Sequence, residues 1–131
     1  MEISGTILLV DDDAVQAVTR QTVLRRAGYL AVATLDPQRA LEQLRENEFA
    51  EPLLLVITDH RMPLMQGPEF VRALRQHQPS LPVLVITGLE DVEPEYAGLD
   101  VMILQKPLPP EQLLASVRAL AAPRMVESLS R

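Results

Sequence analysis

Acidic residues, a threonine and the only lysine of the chain follow short apolar runs that have the character of buried strands. Asp11 and Asp12 follow the first run, Asp59 the third, Thr87 the fourth and Lys106 the fifth. Clustered carboxylates without histidine or cysteine suit a hard, oxygen-seeking cation such as Mg2+. A carboxylate is also a nucleophile toward phosphorus, and a lysine and a threonine hydroxyl would complete a phosphoryl pocket. The pattern therefore indicates metal-assisted phosphoryl chemistry, provided that the strands bring these side chains together.

Lys106 stands out because the chain otherwise uses arginine. Lysine and arginine together number 12, and Lys106 is the single lysine among them. A compact ammonium fits a confined pocket differently from a planar guanidinium. Because arginine serves wherever a solvated positive charge suffices, we interpret this exception as functional.

The elements that would position these residues alternate between short apolar runs and longer helical patterns. The predicted strands cover residues 7–10, 29–34, 53–57, 83–86 and 101–104. The predicted helices cover 13–27 and 36–47 and two further stretches that begin at Gly67 and at Pro109-Pro110. This order predicts an α/β fold with a single doubly wound five-stranded parallel sheet and helices on both faces. Ligands of such sheets bind outside the carboxyl ends of the strands, where the candidate residues fall.

Residues 88–100 predict a fourth helix that is short or irregular. This stretch must contain the loop after the fourth strand, the helix itself and the next loop. Pro94 fits only the first turn of a helix, and Gly98 is a natural helix stop. About one helical turn remains between them, so we expect a mobile or irregular segment.

Length and composition limit the class of protein. The 131 residues suit one domain, which we place at 1–122, with 123–131 as a tail or linker stub. The net charge of −6 argues against a nucleic-acid-binding face, and the absence of cysteine excludes disulfides and a cysteine nucleophile. There is no signal-peptide pattern, and no apolar stretch approaches the roughly 20 residues of a membrane helix. We expect a cytoplasmic domain without a membrane partner.

Four motifs, taken in order, resemble the signature of response-regulator receiver domains of bacterial two-component systems. The motifs are Ile7-Leu8-Leu9-Val10-Asp11-Asp12-Asp13, Asp59-His60-Arg61-Met62-Pro63-Leu64-Met65-Gln66-Gly67, Val85-Ile86-Thr87-Gly88 and Lys106-Pro107. The resemblance covers about residues 6–121. It implies the flavodoxin-like strand order 2-1-3-4-5.

The resemblance also implies a role for each candidate residue. Asp59 would be the phosphoacceptor. Asp12 would bind Mg2+ directly and Asp11 would help through water, with the main-chain carbonyl of Arg61 as a further protein ligand. Thr87 would move to donate a hydrogen bond to the phosphoryl group.

The resemblance also implies a role for Lys106 and the partners of the protein. Lys106 would pair with the phosphoryl group, and its bond to Pro107 would be cis. The phosphoryl group would come from a histidine kinase or a phosphotransfer domain, and an output domain beyond Arg131 is compatible with the resemblance. The protein would not be an enzyme, since it would catalyse only its own phosphorylation and dephosphorylation.

Two positions depart from the family pattern. Gln66 stands where an acidic residue is common, which we expect to be tolerated. Ile103 stands where an aromatic switch residue is usual, so we expect the signal to pass by ordering of residues 88–100 when Thr87 engages the phosphoryl group. We expect no dimer through that face. The two histidines, His60 and His77, are interpreted as surface or loop residues without a catalytic role.

Two other functions compete with this interpretation. The chain could be a degenerate receiver that binds a partner and is never phosphorylated, but the complete set of five site residues argues against it. It could be a metal-dependent phosphatase of another doubly wound family. Such enzymes usually carry a second aspartate two residues after the nucleophile, where this chain has Arg61.

Overall fold

Five parallel strands form one sheet in the order β2-β1-β3-β4-β5 in the computed structural model of the chain, which describes residues 5–121. The strands are β1 (Thr6–Val10), β2 (Leu30–Thr34), β3 (Leu53–Asp59), β4 (Val83–Thr87) and β5 (Met102–Gln105). The helices are α1 (Ala14–Arg26), α2 (Pro37–Glu46), α3 (Gly67–His77) and α4 (Pro110–Leu120). The predicted doubly wound α/β fold and its strand order are confirmed. The predicted tail, 123–131, lies outside the described residues.

Helices cover both faces of the sheet, as the uninterrupted apolar runs of the strands predict. In β1, Leu8 and Val10 belong to the cluster packed against α2 and α3, whereas Ile7 and Leu9 belong to the cluster packed against α1 and α4. Successive side chains of a strand point to opposite faces, so a strand covered on both sides must be apolar throughout. None of the helices in residues 5–121 has the length and apolarity needed to cross a bilayer.

Two aspartates begin helices as the sequence predicts. The Asp13 carboxylate accepts hydrogen bonds from the Val15 and Gln16 amides, at 2.9 and 3.2 Å. The Asp36 carboxylate accepts from the Gln38 amide at 2.9 Å, with proline at the first helical position. Each carboxylate satisfies main-chain N–H groups that have no partner within the helix. These caps determine where α1 and α2 begin, just after the carboxyl ends of β1 and β2.

Strands β3 and β4 extend further than predicted, to Asp59 and Thr87. Asp59 is paired with Ile86, and Thr87 is paired with Gln105. The apolar pattern stops before these residues, but main-chain pairing does not require apolar side chains. Asp59 and Thr87 therefore lie within the ends of strands, with backbones held by the sheet, and not in the loops that follow.

A single 3-10 turn, Glu93–Tyr96, replaces a long helix between β4 and β5. Pro94 lies in its first turn, and Gly98 follows with a positive φ of 79°. The prediction of a short, irregular fourth helix is confirmed. The segment is nevertheless packed, because Val92 and Tyr96 are only 2% and 3% exposed. Its mobility stays a prediction.

The interpretation of His60 as a surface residue is wrong. Its side chain is buried, and its Nδ1 lies 2.7 Å from the hydroxyl of Tyr96 in the 3-10 turn. Glu95 brings a carboxylate within 3.7 Å of the other ring nitrogen. The Tyr96 hydroxyl also lies close to Gly67, where a Cβ would collide with it. The partner of His60 is 36 residues away in sequence, so no local pattern reveals it; His77, by contrast, is exposed.

The Tyr96 hydroxyl is uncharged at physiological pH, as in an ordinary tyrosine, and burial extends its neutral form to higher pH. Burial raises the pKa of this phenol above its usual value, and the nearby carboxylates of Glu95 and Asp59 raise it further. The hydroxyl is therefore a stable hydrogen-bonding partner for His60 across the physiological pH range.

We predict that Tyr96→Phe lowers the free energy of unfolding by about 1–3 kcal/mol, because it leaves a buried ring nitrogen of His60 without its partner. Tyr29→Phe is the matched control, since Tyr29 is also buried and its hydroxyl has no hydrogen-bond partner among residues 5–121. Urea unfolding of the two variants measures the difference. Equal losses in both would show that the His60–Tyr96 contact contributes nothing specific.

Candidate functional site

The parallel strands bring the candidate residues to one edge of the sheet. Main-chain hydrogen bonds continue the strand pairing to this edge: the Asp11 amide donates to the Thr34 carbonyl at 3.2 Å, and the Lys106 amide donates to the Thr87 carbonyl at 2.7 Å. The carboxyl ends of β1, β3, β4 and β5 therefore deliver Asp11, Asp59, Thr87 and Lys106 to the same place.

Three carboxylates form a compact acidic group at this edge. One oxygen from each of Asp11, Asp12 and Asp59 lies within 4.8 Å of the other two. Asp11 and Asp59 are buried, at 2% and 7% exposed, whereas Asp12 is exposed. Carboxylates this close repel one another and favour a bound cation. The three predicted acidic ligands are thus brought together.

Asp59 and Lys106 form an ion pair inside the site. The lysine Nζ lies 2.9 Å from Asp59 Oδ1. This oxygen is buried and, apart from the lysine, has no partner among the described residues. A buried carboxylate oxygen that has only an ammonium beside it, close to two further carboxylates, has the chemistry of a ligand for Mg2+. The residues present therefore fit that ion.

Both oxygens of Asp11 already have partners. Oδ1 accepts the Asp13 amide at 2.9 Å, and Oδ2 lies 2.7 Å from Nη1 of Arg20. Burial raises the pKa of the Asp11 carboxyl, the charge of Asp59 adds to the rise, and the Asp13 amide and the Arg20 guanidinium oppose it. An ion could therefore engage Asp11 through water without breaking these contacts.

Sequence reasoning did not identify Arg20 as a site residue. It lies on α1 in the same stripe as Ala17 and Leu24, which are buried at helical spacing. A charged residue within a buried stripe needs a partner, because a buried unpaired charge is costly. The interruption of this stripe is the signal that could have identified Arg20.

Asp13 caps α1 and is not part of the acidic group. The Asp13–Gln16 pair resembles a capping box in sequence, but its reciprocal half is absent. The Gln16 side-chain amide donates to Asp13 Oδ2 at 3.2 Å, while the Asp13 amide donates to Asp11. The cap therefore also orients Asp11 toward the site.

Thr87 is buried at the end of β4, with its hydroxyl oxygen accepting the Leu89 amide at 3.0 Å. The Gln105 side-chain amide donates to the Leu89 carbonyl at 2.9 Å. These contacts connect the loop after β4 to β5, so a movement of Thr87 would be transmitted to the start of residues 88–100.

The loop after Asp59 contains the remaining candidate, Arg61, whose side chain is exposed. Gln66 occurs where the family pattern favours an acidic residue, and its side-chain amide donates to the Met62 carbonyl at 3.1 Å. Beyond β5, the Lys106–Pro107 bond is cis, as the resemblance implies.

A model of the response regulator receiver domain matches residues 7–118. The chain belongs to this family. The match includes every candidate site residue from Asp11 to Lys106.

Similar curated proteins are bacterial regulators. The receiver domain is 40% identical over 125 residues to the C4-dicarboxylate transport transcriptional regulatory protein DctD of Pseudomonas aeruginosa, covering 92% of this chain and 26% of that protein. It is 38% identical over 120 residues to the response regulator MprA of Mycobacterium ulcerans, covering 89% of this chain and 50% of that protein. The chain therefore spans a quarter to a half of these relatives.

Solved structures show the same fold. The chemotaxis protein CheY4 of Vibrio cholerae is 27% identical, with a TM-score of 0.79 over 89% of this chain and 98% of that one. A response regulator receiver protein of Sinorhizobium medicae is 31% identical, with a TM-score of 0.78 over 90% of this chain and 94% of that one.

We predict that Asp12→Ala abolishes Mg2+ binding yet does not lower the melting temperature of the metal-free protein, because it relieves repulsion within the acidic group. Asp13→Ala is the control on the neighbouring residue. It should lower stability by about 0.5–2 kcal/mol through loss of the helix cap and retain Mg2+ binding. Calorimetric titration and thermal melting in a chelator measure both effects. A large fall in the melting temperature of Asp12→Ala would show that Asp12 is structural.

Proposed function

We propose that this receiver domain accepts a phosphoryl group on Asp59 from a histidine kinase or phosphotransfer domain and thereby changes its interactions with partners. The reaction would require Mg2+, held by Asp11, Asp12, Asp59 and the main-chain carbonyl of Arg61. The domain would act as a signalling phosphoacceptor in the cytoplasm, catalysing only its own phosphorylation and dephosphorylation.

The observation that carries this proposal is the state of the Asp59 carboxylate. It is buried beside two other carboxylates, and among residues 5–121 its Oδ1 has no partner other than the ammonium of the only lysine of the chain, 2.9 Å away. A carboxylate that served only to stabilise the fold would have its buried oxygens satisfied by donors. A reactive carboxylate must instead keep an oxygen available.

The geometry supports a direct transfer. An Asp59 oxygen attacks phosphorus, the new O–P bond forms, and the P–N bond to the donor imidazole breaks, with its electron pair leaving on nitrogen. Mg2+, when bound, would screen the negative charges of the carboxylates and the phosphoryl oxygens from one another. Lys106 would exchange its contact with the carboxylate for one with a phosphoryl oxygen, and the Thr87 hydroxyl would donate to another.

The output is proposed to involve residues 88–100. Thr87 would leave the Leu89 amide when it turns to the phosphoryl group, and the loop joined to Gln105 would change with it. Ile103 lacks an aromatic ring, so this segment would carry the signal by an order–disorder change. DctD is named as a transcriptional regulatory protein. For this chain we propose an output domain beyond the receiver. We also propose that the receiver itself does not bind nucleic acid.

We predict that Asp59→Asn abolishes phosphorylation by acetyl phosphate in the presence of Mg2+, because the amide oxygen is a poor nucleophile toward phosphorus. Asp36→Asn is the matched control, since asparagine also caps helices and Asp36 caps α2 and is not one of the three clustered carboxylates. Intact-mass measurement should find one added phosphoryl group in wild type and in the control. Equal labelling of Asp59→Asn would contradict the assignment.

Lys106→Arg is expected to slow phosphorylation by roughly tenfold or more, although it preserves the charge, because the planar guanidinium cannot occupy the position of the ammonium and small displacements at a reacting centre are costly. The reverse exchange at an exposed site, Arg118→Lys, is the control and should leave the rate unchanged. Time-resolved intact-mass measurement compares the two variants. A wild-type rate in Lys106→Arg would remove the special role of the lysine.

A further inference from the structure

Arg20 lies on α1, and its side chain contacts the acidic group at the edge of the sheet. Its Nη1 lies 2.7 Å from Asp11 Oδ2, and its Nη2 donates to the Gln16 side-chain oxygen at 3.0 Å. The ion pair is largely shielded from water, because the side chains of Arg20 and Asp11 are 13% and 3% exposed. An ion pair shielded in this way is less screened by solvent than a surface pair.

The guanidinium changes the charge that a cation would meet. Lys106 pairs with Asp59 and Arg20 pairs with Asp11, so only Asp12 among the three carboxylates lacks an ion pair within the described residues. Two fixed positive charges thus offset most of the negative charge of the group. A divalent ion entering this site would be attracted less strongly than by three bare carboxylates, and would also be repelled by Arg20.

Arg20 also determines what Asp11 can do. One Asp11 oxygen accepts the Asp13 amide and the other accepts Arg20. The Gln16 oxygen fixes the second arm of the guanidinium, and the Gln16 amide is itself bound to Asp13. Asp11 is therefore held in one orientation, with both of its oxygens accepting hydrogen bonds.

We propose that Arg20 is a positioning residue that takes the place of a cation beside Asp11 in the metal-free protein and thereby weakens the affinity for Mg2+. The inference rests on the proposed Mg2+ site. The two effects of removing Arg20 have opposite signs: the metal-free protein loses a partner for a buried carboxylate, while the metal-bound protein loses a repulsive charge. A purely structural arginine would produce only the first effect.

The experiment is calorimetric titration with MgCl2 of wild type, Arg20→Gln, Arg20→Lys and Arg26→Gln. Arg26→Gln removes the same charge from an exposed position on the same helix. We expect Arg20→Gln to bind Mg2+ roughly tenfold more tightly, which corresponds to ~1.4 kcal/mol. Arg20→Lys should remain near the wild-type affinity because it retains the charge, and Arg26→Gln should change it by less than about twofold.

Thermal melting provides a readout that is independent of phosphorylation. In a chelator, Arg20→Gln should melt below wild type, and saturating MgCl2 should reduce or reverse this difference, because tighter binding adds more stability to the folded state. If Arg20→Gln does not fold without metal, Arg20→Met, which retains the apolar stem, is titrated in its place.

The outcomes separate the two proposals. An affinity of Arg20→Gln equal to that of Arg26→Gln, with wild type binding Mg2+, would overturn the role of Arg20 and leave the proposed function standing. Absence of Asp12-dependent Mg2+ binding in wild type would overturn the metal site itself and the inference with it. A melting difference in Arg20→Gln that is the same with and without MgCl2 would show that Arg20 is structural only.

Discussion

The ion pair between Asp59 and Lys106 is the interaction on which the site depends. A carboxylate moved from water into a protein interior is strongly destabilised unless an opposite charge accompanies it. Lys106, which follows the edge strand β5, provides that charge. Its Nζ lies 2.9 Å from Oδ1 of Asp59, the last residue of β3. The pairing of β4 with both strands therefore brings Lys106 and Asp59 together.

A second ion pair balances the other buried carboxylate of the site. Arg20 faces Asp11 from α1, and the two pairs flank Asp12, the exposed member of the acidic group. The negative charge that remains unpaired is thus the one nearest solvent, where a cation would enter. Two of the three clustered carboxylates thus have an ion pair without metal, and the third is open to solvent.

The segment between β4 and β5, residues 88–100, is held in place without a long helix. The buried Tyr96 contacts His60, the residue after Asp59, and Arg75 of α3 donates to the carbonyls of Leu99 and Asp100 at 2.8 Å each. These contacts fix the segment between β4 and β5 to α3 and to the residue that follows Asp59.

The sequence by itself determined the alternation of strands and helices, the helix caps and the short turn at Pro94, because hydrophobic periodicity, capping and proline geometry are local patterns. The strand order came from the resemblance to the receiver family, and the shared edge of parallel strands then located the site. The sequence also indicated the acidic group and Lys106 for the same reason. Tertiary structure alone decided that β3 continues into polar residues, that His60 is buried and that Arg20 faces Asp11. Main-chain pairing does not depend on side-chain polarity, and a contact between distant residues depends on how a helix is oriented against the sheet, which no local spacing specifies.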